Sequence, residues 1–167
     1  MLPYFHVYGT IVTMGWAMFN AATQILVPRF DLDELVGLIA NFKEISFFPS
    51  VPTMINAIIN HPKAESLDLP RRIGLLNSGA APMAVELIEQ VQALGINYSE
   101  GWGMSETTSL GISNPVLGLR KTGSIGIPWP DTDVRLVDVG EGKEDVPRGQ
   151  PGEILIKSPL VMKEYWN

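Results

Sequence analysis

Cysteine is absent from the 167 residues of the chain, which excludes thiol catalysis, zinc–thiolate sites and a disulfide framework. A domain of this length buries roughly 70% of the surface that its unfolded chain exposes, so it folds without such a staple. With 46% hydrophobic and 18% charged residues, the composition also excludes a disordered tail or a coiled coil.

Basic residues are scarce, because 12 Lys and Arg stand against 18 Asp and Glu, for a formal net charge of −6. The chain also has no basic block. Binding of nucleic acid through bulk electrostatics is therefore excluded. Any phosphate-bearing ligand has to be held by local contacts.

Formal charge is missing from residues 7–27, a run long enough in principle to cross a bilayer. The run contains Asn20 and Gln24, and its pattern changes near Ala21 from a helical stripe to a short strand-like segment, residues 24–27. It therefore predicts a buried helix followed by a strand, and no transmembrane segment. We expect no signal peptide in this run, because no basic residue precedes it and Asn20 and Gln24 interrupt its apolar stretch.

Helical and strand patterns alternate over residues 1–122, which predicts crossover βαβ units, an α/β fold and a largely parallel sheet. The predicted elements are a helix capped by Asp31, a strand in residues 44–49, a helix from Pro52, a surface connection over residues 63–72, a strand in residues 73–77, a helix with Pro82 at its first position and Gly95 at its end, and a strand in residues 96–99.

The helical period disappears from Gly123 onward. Residues 134–138 and 153–157 alternate as strands around a turn-rich segment, which predicts a small antiparallel β segment. We therefore divide the chain into an α/β portion, residues 1–122, and a β-rich portion, residues 123–167.

A small-residue turn, residues 77–83 (NSGAAPM), joins a predicted strand to a predicted helix. Free amides and the helix dipole at such a turn favour an anionic or polar ligand. The turn lacks the lysine of a Walker loop and the three-glycine spacing of a dinucleotide site. From the residues alone, a turn that is small only for packing remains open.

A glycine-flanked loop, residues 98–108, follows another predicted strand, at the place where ligand-binding loops of parallel sheets lie. Trp102 offers an aromatic face between two glycines, Ser105 a hydroxyl, and Glu106 a carboxylate suited to Mg²⁺. A structural loop around a core tryptophan is the alternative. For His6, which lies among aromatic residues, simple packing is the alternative to a role in the site.

Five segments, in order along the chain, resemble motifs of the adenylate-forming superfamily of acyl-CoA synthetases, adenylation domains and luciferases. Residues 3–9 are similar to PxFHxxG, and residues 77–83 resemble SGGAPL. Residues 100–107 resemble QGYGxTET, with Trp102 in place of Tyr and Ser105 in place of Thr. Residues 123–128 resemble GSVGxP, and residues 152–165 resemble GELxxxGxxxxxGY.

The resemblance implies that ATP activates a carboxylic acid, expected to be a fatty acid, to an acyl-adenylate, which coenzyme A then captures as a thioester. It assigns catalytic roles to Ser105 at phosphate, to Glu106 as the Mg²⁺ ligand and to His6 near the substrate carboxylate, and it places Trp102 on adenine. The positions that it assigns to ATP or AMP binding are Gly79, Ala80, Ala81, Pro82, Glu100, Gly101, Trp102, Gly103, Met104 and Ser105.

The family's phosphate loop with its lysine, its ribose-binding aspartate and its small C-terminal domain with a catalytic lysine have no counterpart in these 167 residues. We therefore expect a fragment of the large N-terminal domain that is inactive in isolation and self-associates through faces left uncovered. The expected location is cytoplasmic, with peripheral membrane association of the longer protein left open.

Two alternatives to a fatty acyl-CoA synthetase remain open at this point. One is an adenylation domain for an amino acid or an aryl acid. The other is a non-catalytic α/β binding module that keeps the fold without the chemistry.

Overall fold

A computed structural model describes residues 2–166, and in it strands and helices alternate along the N-terminal part of the chain. The α-helices of these residues are α1 (Trp16–Phe19), α2 (Leu32–Asn41), α3 (Pro52–Ile59), α4 (Leu69–Arg72) and α5 (Val85–Ala93). The strands are β1 (Phe48–Ser50), β2 (Leu76–Ser78), β3 (Tyr98–Trp102), β4 (Ile112–Ser113), β5 (Ile127–Pro128), β6 (Asp133–Val137) and β7 (Glu153–Lys157).

The main sheet has the strand order β1-β2-β3-β4-β5. Its first three strands are parallel, with α3 and α5 in the two crossovers, whereas β4 and β5 pair antiparallel. Strands β6 and β7 form a separate antiparallel pair. The predicted α/β fold with crossover units and a small antiparallel segment is confirmed, and the division at residue 122 stays a prediction.

Helix α2 begins where the sequence predicts, because the Asp31 carboxylate accepts a hydrogen bond from the Glu34 amide at 2.9 Å. Its apolar face and those of α3 and α5 cover the parallel strands. The buried residues of this core are Leu35, Val36, Ile39, Phe48, Ile55, Ile58, Leu67, Leu69, Ile73, Leu76, Met83, Ile88, Val91, Ile96 and Tyr98.

The predicted start of α5 at Pro82 is wrong, because the helix begins at Val85 with Ala84 as its N-cap. Met83 is buried in the core, and its sulfur accepts a hydrogen bond from the Tyr98 hydroxyl at 3.0 Å. This anchor keeps the chain extended beyond Pro82, so the turn after β2 is longer than the sequence predicts.

The predicted surface connection over residues 63–72 is also wrong. It contains a 3₁₀ helix, Ala64–Leu67, and the short helix α4, with the left-handed residue Asp68 between them. Leu67 and Leu69 are buried in the core, so burial of two leucines folds a segment whose polar composition indicates a loop.

The uncharged N-terminal run differs from its prediction in two ways. A π-helix, Tyr8–Gly15, continues into α1, but Phe19 at its end is 91% exposed, so the helix is only partly buried. Residues 24–27, predicted as a strand, lie outside both sheets. None of the helices in residues 2–166 combines the length and the apolarity needed to cross a bilayer.

Substitution of Ile39 by Ala should lower the free energy of unfolding by about 2–5 kcal/mol, because it leaves a cavity where the side chain is fully buried. Urea denaturation followed by circular dichroism measures this change. The control Leu119→Ala removes a side chain that is 92% exposed and should change stability by less than about 0.5 kcal/mol. Equal effects of the two substitutions would contradict the assigned core.

Candidate active site

Parallel pairing of β2 and β3 places the two sequence-predicted loops next to each other. The register joins Asn77 to Ser99 and Ser78 to Glu100. Both strands end on the same edge of the sheet. The turn that starts at Gly79 and the loop that starts at Trp102, the last residue of β3, therefore leave this edge side by side. We call residues 102–109 the Trp102 loop.

A cleft of about 750 Å³ runs along one face of the sheet, from Leu75 and Asn97 to this turn and this loop. Of the residues that the sequence assigns to the site, those that line the cleft are His6, Gly79, Ala80, Gly101, Trp102, Gly103, Met104, Ser105 and Glu106. Ala81, Pro82 and Glu100 do not line it. The structure therefore brings together most of the predicted residues.

The Trp102 loop holds its shape through internal contacts. A β-carbon at Gly103 would lie 2.0 Å from the Ser109 carbonyl oxygen, so only glycine fits there. The hydroxyl of Thr107, which is fully buried, accepts from the Met104 amide at 3.0 Å and donates to the Met104 carbonyl at 3.2 Å. This staple leaves Ser105 exposed at the mouth of the cleft.

The ring of Trp102 lies against Gly111. A β-carbon at Gly111 would come within 3.1 Å of two carbons of the indole ring and 3.3 Å of the Ile156 side chain. Because Gly111 has no side chain, both the indole of Trp102 and Ile156 of β7 can pack against it. Trp102 also lines the cleft.

The Glu106 carboxylate accepts a hydrogen bond from the Tyr165 hydroxyl. This bond lowers the pKa of Glu106, so the carboxylate is ionised at neutral pH, and the same bond raises the pKa of Tyr165. Tyr165 belongs to the GELxxxGxxxxxGY-like segment. Nothing in the sequence pattern indicates that it contacts Glu106, which lies 59 positions earlier in the chain.

His6 lines the same cleft, and its Nδ1 atom accepts a hydrogen bond from the Tyr8 amide at 3.2 Å. Neutral His6 therefore carries its proton on Nε2. This tautomer has a hydrogen-bond donor to offer a carboxylate.

Tyr8 and Asn77 form a buried polar link that the sequence reasoning missed. The Tyr8 hydroxyl donates to Asn77 Oδ1 at 2.7 Å, and Asn77 Nδ2 donates to Ser99 Oγ at 3.3 Å. Burial raises the pKa of Tyr8, so its hydroxyl stays protonated. A β-carbon at Gly79 would lie 3.3 Å from the Tyr8 ring, so the small turn also makes room for this tyrosine.

Two carboxylates line the cleft, those of Glu44 and Glu106, and of these only Glu106 lies in the loop to which the resemblance assigns the magnesium ion. In residues 2–166 there is no group of three or more His, Cys, Asp or Glu side chains that could hold a metal ion. Mg²⁺ is usually held by one or two carboxylates together with substrate phosphates and water, so a single ionised carboxylate fits this ion when phosphates are bound.

Comparison with known proteins decides which family the cleft belongs to. A family model described as "AMP-binding enzyme" matches residues 1–166. The chain belongs to this family. The resemblance to adenylate-forming enzymes that the five motifs indicate is therefore confirmed.

Curated relatives of this AMP-binding chain include CoA ligases for several acids. A long-chain-fatty-acid–CoA ligase from Bacillus subtilis is 36% identical over 168 residues, which cover 100% of this chain and 30% of that enzyme. The 4-coumarate–CoA ligase-like 4 protein from Oryza sativa is 32% identical, over 99% of this chain and 30% of that protein. The chain thus spans 30% of the length of these two relatives.

Solved structures share the fold of this AMP-binding chain. ATP-bound MatB from Rhodopseudomonas palustris matches with a TM-score of 0.86 and 30% identity, over 99% of this chain and 32% of that one. The N-terminal domain of FACL13 from Mycobacterium tuberculosis matches with a TM-score of 0.81 and 30% identity, over 99% of this chain and 41% of that domain.

Glu100 borders the cleft of this AMP-binding chain without lining it. Its amide donates to Asn114 Oδ1 at 2.9 Å, and its carbonyl accepts from the Asn114 amide at 2.8 Å. Burial raises the pKa of its carboxyl group, an effect that the nearby Tyr98 hydroxyl partly offsets. Burial and the charge of Glu100 in turn raise the pKa of Tyr98.

Substitution of Glu100 by Gln should stabilise the protein at pH 7. A raised folded-state pKa contributes stability below the unfolded-state pKa of about 4.3, and this contribution is lost as the pH rises through the folded-state value. The advantage of the variant should therefore shrink as the pH falls towards 4. Thermal unfolding from pH 4 to pH 8 measures the effect, with the exposed Glu89→Gln as matched control. A Glu100 variant that is less stable at pH 7 would contradict this account.

Proposed function

We propose that the cleft binds the AMP portion of ATP and of an acyl-adenylate, in a protein that activates a carboxylic acid for transfer to the thiol of coenzyme A. The observation that carries this proposal is the meeting of Gly79 and Ala80 with Trp102 at one cleft whose mouth holds an ionised carboxylate, that of Glu106. Membership of the AMP-binding family and the CoA ligases among the relatives support it.

In this proposal each residue of the cleft contacts a different part of the nucleotide. The Trp102 ring stacks on adenine, and the small residues Gly79 and Ala80 let the base approach the backbone. The Ser105 hydroxyl donates to a phosphate oxygen. Glu106 would hold Mg²⁺, which would supply positive charge against the phosphates. Ala81, Pro82 and Glu100 do not line the cleft, so no contact with the nucleotide is assigned to them.

The proposed reaction has two steps. A carboxylate oxygen of the acid attacks the α-phosphorus of ATP, which forms the acyl-adenylate and releases pyrophosphate. The thiol of coenzyme A then loses its proton to solvent and its sulfur attacks the acyl carbon, which forms the thioester, and AMP leaves with the electron pair of the broken bond. His6, with a proton on Nε2, orients the substrate carboxylate by a hydrogen bond.

A fatty acid is the first candidate substrate, because the relative with 36% identity is a long-chain-fatty-acid–CoA ligase. An aryl acid is the second, because aromatic rings line one part of the cleft. Trp16 stacks on Phe47 with ring centroids 6.4 Å apart and meets Trp129 edge-on at 6.1 Å. Relatives named as 4-coumarate and indoleacetate ligases support this second candidate.

The 167 residues alone bind nucleotide without turning it over. The phosphate-loop lysine and the C-terminal lysine of the family have no counterpart in this sequence. We also infer that the isolated chain self-associates. We infer that the longer protein of which it is a part is located in the cytoplasm. Exposed apolar side chains, among them Phe5 at 94% and Phe19 at 91%, support self-association.

Substitution of Trp102 by Ala should weaken ATP binding by about tenfold or more, because stacking of a base on an aromatic ring is worth about 1–3 kcal/mol. Isothermal titration calorimetry on the chain measures the affinity. The control Trp166→Ala removes an indole that is 100% exposed and does not line the cleft, and it should leave ATP affinity unchanged. Equal affinities of the two variants, or no ATP binding by the unsubstituted chain, would contradict the proposal.

An ATP–pyrophosphate exchange assay on the isolated chain should detect no turnover with fatty or aryl acids. Adenylation needs the charge of the absent lysines around the phosphates. A full-length protein that contains this chain is the positive control and should catalyse exchange. Robust exchange by the 167 residues alone would show that they hold a complete catalytic site.

A further inference from the structure

The segment that follows β7, residues 158–166, crosses the Trp102 loop and holds Glu106 from two sides. The Tyr165 hydroxyl donates to Glu106 Oε1 at 2.5 Å, and the Met162 amide donates to the Glu106 carbonyl at 2.8 Å. The Thr108 hydroxyl donates to the Leu160 carbonyl at 2.7 Å. Backbone and side chain of Glu106 are therefore fixed by separate contacts from one segment.

This segment is itself anchored to the antiparallel pair β6–β7. The Thr132 and Ser158 hydroxyls are hydrogen-bonded at 2.9 Å, and Ser158 Oγ accepts from the Leu160 amide at 3.2 Å. These hydrogen bonds fix the start of the segment that carries Tyr165 to Glu106.

We propose that Tyr165 is a positioning residue for Glu106, whose carboxylate it holds in one orientation in which the free oxygen would be available to the Mg²⁺ of ATP. The inference rests on the proposed nucleotide site. A glutamate side chain on an exposed turn samples several rotamers, and a charge-assisted hydrogen bond to one oxygen restricts them before the ion arrives. Less freedom is then lost on binding, which strengthens the metal-dependent part of ATP affinity.

The contact acts through the hydroxyl and not through packing of the ring. Tyr165 is 61% exposed, so its ring adds little buried surface to the fold. Removal of the hydroxyl in Tyr165→Phe leaves the ring and the two backbone contacts at Leu160 and Met162 in place. The variant should therefore fold, and it isolates the one bond that the proposal concerns.

The first test needs no ligand. Side-chain scalar couplings of Glu106, measured by NMR on the labelled chain, should indicate one rotamer in the unsubstituted protein and an average over several in Tyr165→Phe. Amide hydrogen exchange in residues 105–108 should stay unchanged, because the backbone contacts remain. The control Tyr4→Phe removes another hydroxyl, one that donates to Gln24, and should leave the side-chain couplings of Glu106 unchanged. Unchanged couplings in Tyr165→Phe would overturn the proposal.

The second test compares ATP affinity with Mg²⁺ and with EDTA by calorimetry. Tyr165→Phe should reduce the gain in affinity that Mg²⁺ provides by roughly threefold to tenfold, the range expected when one flexible side chain has to be ordered on binding, and leave the affinity in EDTA unchanged. A gain that is equal or larger in the variant would overturn the proposal. If the unsubstituted chain binds no ATP in either buffer, the proposed nucleotide site fails, and the couplings still decide whether Tyr165 positions Glu106.

Discussion

Parallel pairing between β2 and β3 is the constraint on which the cleft depends. Hydrogen bonds fix the register from Leu76–Tyr98 to Ser78–Glu100, so both strands end at the same edge of the sheet, with β3 reaching two residues further, to Trp102. This register sets the position of the two loops relative to each other. A slip of one residue would turn the side chains of one strand to the opposite face of the sheet. The Tyr8–Asn77–Ser99 link adds side-chain hydrogen bonds to the same register.

Segments from opposite ends of the chain complete the site around this sheet edge. The N-terminal π-helix brings Tyr8 onto Asn77, and His6 to the cleft. The segment after β7 brings Tyr165 onto Glu106. The residues of the proposed nucleotide site in the middle of the chain are thus held from both sides, which gives their loop the rigidity that the proposed site requires.

Much of this arrangement follows from the sequence, because local signals are strong where they coincide with motifs. The Asp31 cap, the alternating elements and the two loops are all predictable in this way. The start of α5 and the folding of residues 64–72 are not, since burial of Met83, Leu67 and Leu69 overrides local composition. The Tyr165–Glu106 contact is invisible to sequence reasoning, because it joins residues 59 positions apart through the placement of β7.

The central claim is that the turn after β2 and the loop after β3 form one site for AMP. NMR titration of the labelled chain with AMP tests it most directly. The account predicts that the amide signals of Gly79 and Ala80 and those of Trp102 to Ser105 shift together with a single dissociation constant. Shifts confined to one of the two loops, or two different dissociation constants, would contradict it.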